Sequence, residues 1–152
     1  VLQENGLIAQ TIQLALAPVF VLVAIGNIMN ILSARLGRVV DRSRVLQALH
    51  GTTSGPDHDA VVREIRMVDD RIRIIGRAIM LLVASGLTIG LVVAILFVEE
   101  LISTDMQLVA AAFFFVAIML LMAALWQFMR ETRLAAAALR IPKNYLELDR
   151  DL

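Results

Sequence analysis

Apolar positions in this chain are gathered into three long blocks instead of alternating or repeating in short runs. The first covers about residues 8–32, and its cleanest stretch, Leu14 to Leu32, is interrupted by Asn27 and Asn30. The second covers about 75–98, with Arg77 near its start, and the third covers about 106–129. A bilayer core of ~30 Å is crossed by ~20 residues of helix. Inside lipid, helix is the conformation that pairs every backbone N–H and C=O within one segment. The pattern therefore predicts an all-α chain with three transmembrane helices, forming one membrane domain over 1–152.

The helical pattern continues beyond the apolar blocks. Leu32, Leu36, Val39, Leu46 and Leu49 keep helical spacing with charged residues between them. A cluster of turn formers, His50 to Pro56, ends that run. Asp57 or Asp59 is then expected to cap a second helix. Val61, Ile65, Val68, Ile72, Ile75 and Ile79 follow at alternating steps of four and three, the spacing of a coiled-coil seam. Residues 33–73 are thus read as a cytoplasmic antiparallel helical hairpin, built from extensions of the first two helices. Antiparallel pairing places Arg35 near Arg77 and Asp41 near Arg71, and lets Arg38 or Arg42 reach Asp69 or Asp70. The third helix is expected to be capped by Thr104 with Gln107 as its partner. Trp126 and Phe128 lie at its inner end, where an aromatic belt belongs. It should run to about Arg140 and stop at Pro142, leaving 141–152 as a tail.

Composition agrees. Of 152 residues, 59% are hydrophobic, against about 45–50% for soluble domains even with glycine counted. The mean hydropathy is +0.79. These values exclude an ordinary soluble domain. The absence of cysteine excludes disulfide frameworks, thiolate metal sites and cysteine nucleophiles. Net charge is zero, with 14 basic and 14 acidic residues, but the basic ones are segregated. Nine arginines lie between Arg35 and Arg77, and the other five basic residues between Arg130 and Arg150. Positive-inside bias then puts the N-terminus out and the C-terminus in. Residues 1–6 carry no Lys or Arg, so the first block reads as a retained helix and not as a signal peptide. Three spans make a multi-pass membrane protein.

Several residues stand out as candidate function. Gln13, Asn27 and Asn30 gather on one stripe of the first helix, and polar groups within a span face a partner helix or water. Pro18 removes a backbone donor nearby. Glu99, Glu100 and Asp105 lie at the outer end with no countercharge, and a ring of copies would make them an acidic collar for cations. Gly86, Gly90 and Ala94 place a small residue at every fourth position, a spacing that allows close approach by a helix of the same chain or of another copy. Arg35, Arg38, Asp41, Arg42, Asp69, Asp70, Arg71 and Arg77 are expected to form an inner ion-pair network or to contact anionic lipid.

Enzyme chemistry finds little support. His50, Asp57, His58 and Asp59 sit in one turn but lack a metal-site spacing such as HExxH. Ser85 has no histidine nearby in sequence, no acid sits at the centre of a span, and no phosphate-cradling glycine loop is present. No catalytic residue, metal, cofactor or nucleic-acid partner is expected.

The segments from Gln13 to Phe20, Arg35 to Arg42 and Arg71 to Ile79 resemble a bacterial family of small three-helix integral membrane proteins, domain of unknown function 2721. The likeness runs from Ile8 to Ile141. It implies the three-helix layout and, since the spans are helices, a bacterial inner membrane, and it brings no activity, substrate or catalytic residue. From the residues themselves, the expected function is a homo-oligomeric, cation-preferring channel or pore lined by the first helix. The alternatives are a non-catalytic accessory or scaffold subunit, with a protein partner at the hairpin, and an anionic-lipid organiser.

Overall fold

The computed structural model describes residues 2–138, with side chains described for Gln13 and for residues 16–136. Three helices account for nearly all of it: α1 (Leu2–His50), α2 (Pro56–Ile102) and α3 (Gln107–Ala138). Each is long and apolar enough to cross a membrane. At 1.5 Å per residue, the 49 residues of α1 and 47 of α2 extend ~70 Å, more than twice a bilayer core. The continuation of both helices past their apolar blocks is therefore present. The tail at 141–152 and the stop at Pro142 lie outside the described residues.

The packing is written in steps of seven. Ile25, Leu32, Val39 and Leu46 are the buried positions of α1. Val68, Ile75, Leu82 and Ile89 form the matching row on α2. The expected seam residues Val61, Ile65, Ile72 and Ile79 pack against the same core. Pro18 falls in phase with this row and is buried within a continuous α1.

A second row on α2, Ala78, Ser85 and Val92, is also buried. It belongs with the buried residues of α3, Ala110, Ala117 and Ala124, again seven apart. The Ser85 hydroxyl donates to the Ala117 carbonyl at 2.8 Å and fixes how these rows meet. Small side chains on both sides let the two backbones approach closely, which is how helices gain dispersion contacts where lipid offers no hydrophobic drive. α2 is thus central, while α1 and α3 barely touch one another.

Of the small stripe, Gly86 faces α1, where a methyl would meet Leu22 at 3.6 Å and Ile25 at 3.9 Å, while Gly90 and Ala94 are exposed. Alanines and Ser85 make the close approach to α3. Two local expectations are corrected. Neither Asp57 nor Asp59 caps α2, which starts on Pro56 after Gly55 with no side-chain cap. Proline suits a first turn because its missing N–H is unpaired there anyway, and the two aspartates then complement the helix dipole. Asp105, not Thr104, serves α3, accepting from the Gln107 N–H at 3.2 Å. Thr104 donates instead to the Ile102 carbonyl.

Ala117 tests the α2–α3 seam. Ala117→Leu overfills a fully buried position and should cost about 1–3 kcal/mol. Gly86→Ala adds a methyl at ordinary contact distance and should cost nothing measurable. Thermal unfolding in detergent reads both, and equal tolerance of the two changes would contradict this seam.

Candidate functional site

Past Ala124, the next position of the α3 row is Glu131. It is the sole acid in α3 and is 0% exposed. Arg71, in phase with Ala78 and Ser85 on α2, reaches it. Its Nε and Nη2 both donate to Glu131 Oε1, at 3.2 and 2.8 Å. Arg35 of α1 donates to the other oxygen, Oε2, and closes an ion pair. The same guanidinium donates to Thr132 Oγ1 at 3.3 Å, and its Cζ lies 5.2 Å from the centre of the Phe128 ring. One turn of α3 therefore supplies a carboxylate, a hydroxyl and a π-face to Arg35. Both carboxylate oxygens are satisfied, so the buried charge is fully paired.

This node joins all three helices at one level. The arginines are 28% and 25% exposed, so their charged ends reach the edge while the acid stays inside. Sequence reasoning missed Glu131, which lies among C-terminal basic residues and 60 to 96 positions from its partners. A signal was present: an acid ending a run of alanines spaced by seven.

The ion pairing of the inner segment differs from expectation. Arg42 pairs with Glu64 through two bonds, 2.7 and 2.9 Å, not with Asp69 or Asp70. Arg35 comes level with Arg71 and not Arg77. The reason is the turn: α1 runs through His50 and α2 begins at Pro56, so the connection is only 51–55 and every partner shifts toward the start of α2. Asp69 and Asp70 bind Arg73 on their own helix, and Asp41 lies 3.9 Å from Arg44. Arg77 is exposed beside a cleft it shares with Arg73 and Gln127. Arg38 is exposed and has no acidic partner among the described residues.

The hydrogen bond that Arg42 donates to Glu64, opposed by desolvation, raises the pKa of Arg42 above its ordinary value. The hydrogen bond that Arg73 donates to Asp69, with the charges of Asp69 and Asp70, does the same for Arg73. Both are therefore cationic at every physiological pH.

Four arginines converge beside the node. Arg35, Arg38, Arg42 and Arg71, with Val39, Val68 and Ala135, line a cavity of about 260 Å³. At the opposite end, a cavity of about 320 Å³ is lined by apolar groups including Pro18, Leu96 and Phe114.

The other candidates are scattered. Gln13, Asn27 and Asn30 are exposed on α1. Asn27 follows Ile25 by two residues, ~200° around the helix, and so lies opposite the buried row. Glu99 is half-buried, with Oε2 buried and without a hydrogen-bond partner among the described residues, while Glu100 and Asp105 are exposed. The His50 and His58 rings lie 4.5 Å apart, and among the described residues no cluster of three metal-binding side chains forms.

Three apolar helices tied at one end by a buried ion bridge define a multi-pass helical membrane protein. The chain belongs to the family described as "Protein of unknown function (DUF2721)", whose sequence profile matches residues 15–141. No curated protein and no solved structure matches it.

Glu131→Gln removes the charge that two part-buried arginines share. It should lower stability by about 3 kcal/mol, the scale of breaking a buried pair by deleting one partner. Arg42→Gln breaks a pair whose side chains are 50% and 37% exposed, and should cost under ~1 kcal/mol. Thermal unfolding of both variants in detergent measures this, and a larger loss in Arg42→Gln would contradict the ranking.

Proposed function

We propose that the protein is a non-enzymatic, self-associating membrane protein. Copies meet on the open face of α1, and the arginine-rich end lies on the cytoplasmic side of a bacterial inner membrane. The observation that carries this reading is the placement of Asn27 and Asn30. Both are exposed within the apolar stretch of α1, on the face turned away from α2. An amide facing hydrocarbon forfeits its hydrogen bonds, and a second copy of the same stripe restores them. Leu16, Phe20, Val23 and Ile31 are exposed around the same face. That mixture suits helix-to-helix packing with amide contacts better than a wetted wall.

Passage of cations between copies is the second reading, favoured by the acidic end. Glu99 and Glu100 sit at the close of α2, where the helix dipole is also negative. No Lys or Arg lies between Arg77 and Arg130 in the sequence.

Native mass measurement of the full chain in lipid nanodiscs tests self-association. Two or more copies are expected. The double variant Asn27→Leu with Asn30→Leu should weaken association roughly tenfold, from ~0.6 kcal/mol per interhelical hydrogen bond. A single copy for the unaltered chain would contradict the proposal. The cation reading requires five or more copies and a liposome potassium flux that the double variant reduces.

A further inference from the structure

We propose that the cavity beside the Glu131 node is a binding site for a phosphate oxyanion, supplied by the headgroup of an anionic lipid. This inference does not depend on self-association. Arg35, Arg38, Arg42 and Arg71 line a cavity of about 260 Å³. Against these four guanidinium groups stand two bonded carboxylates, Glu131 and Glu64. The other acids in this part of the chain are committed to arginines outside the cavity: Asp69 and Asp70 to Arg73, and Asp41 to Arg44. The cavity therefore holds excess positive charge, centred on Arg38, which has no acidic partner among the described residues.

The arrangement is preorganised. Glu131 and Glu64 fix Arg35, Arg71 and Arg42, so little side-chain freedom is lost when an anion enters. Guanidinium groups present paired N–H donors that match the oxygens of a phosphate. Carboxylates that hold these arginines without neutralising all of them leave room for a second acceptor.

Position selects the source. Arg35 lies three residues past Leu32, where the first apolar block ends, and Arg71 lies four residues before the second begins at about 75. Trp126, exposed on α3 about one and a half turns before Glu131, sits on the apolar side of that boundary. Lipid phosphates occupy that level, and basic residues near an anionic surface each strengthen binding about fivefold.

The test uses the full chain in nanodiscs of equal parts phosphatidylglycerol and phosphatidylcholine, with retained lipid identified by native mass after release. The unaltered chain should retain phosphatidylglycerol preferentially. Arg38→Gln, which breaks no ion pair described here, should lower that preference about fivefold. Arg44→Gln makes the same charge change on α1 outside the cavity and should leave it intact. If no lipid preference appears, but inorganic phosphate binds the detergent-solubilised chain and Arg38→Gln abolishes that binding, the oxyanion site stands with soluble phosphate as its source. Lipid and phosphate binding both indifferent to Arg38→Gln, or lipid preference lost equally in Arg44→Gln, would overturn the proposal.

Discussion

A single carboxylate holding two arginines from two other helices sets the geometry of this protein. Elsewhere α1 and α3 barely meet, and each is packed against α2. Glu131 changes that at one level by accepting from Arg71 on α2 and from Arg35 on α1. A buried ion bridge is weak support for stability by itself, because desolvation offsets much of its attraction. Its contribution here is to register. A slip of one residue along α3 would turn Glu131 ~100° away from both arginines and leave three charges without partners.

The apolar seams need such a constraint. Rows of alanine against alanine and serine permit close approach but discriminate poorly between neighbouring registers, since small side chains fill similar space in each. The Ser85 hydrogen bond to the Ala117 carbonyl adds one polar marker within the α2–α3 seam. The bridge adds a stronger one at its end and, with the Arg35 to Thr132 hydrogen bond beside it, supplies the polar ties from α1 to α3 among the described residues. Past the bridge, the α1–α2 pair continues as a seam of larger aliphatic residues closed by Arg42 and Glu64. The arginine cavity is a by-product of this construction. Arg35, Arg71 and Arg42, held by Glu131 and Glu64, are left facing a space that they share with Arg38.

Much of the fold was legible in the sequence because its signals are local. Block length gave three apolar helices, and the four-and-three spacing from Val61 to Ile79 gave the seam. The turn between His50 and Pro56 was marked by its glycines and proline. What escaped depends on relations between distant segments. The partners of Arg35 and Arg42 follow from where the turn is centred, and a shift of a few residues moved Arg42 from Asp69 or Asp70 to Glu64. Glu131 was hidden by its basic neighbours, although its phase with Ala110, Ala117 and Ala124 could have drawn it out. The stripe of Gly86, Gly90 and Ala94 allows close approach without naming the partner, and within the chain only Gly86 lies against α1. The amides of α1 were legible as polar groups in a span, and a single chain leaves them facing outward.

The most direct measurement is the distance between α1 and α3 at the bridge. The chain has no cysteine, so labels can be placed singly. Spin labels introduced through Ala34→Cys and Arg133→Cys, both at exposed positions, report that distance by pulsed electron resonance. If Glu131 ties the helices, the distribution is narrow in the unaltered background and broad once Glu131→Gln is added. An equally narrow distribution at the same mean in Glu131→Gln would show that the seams alone hold the three helices in place.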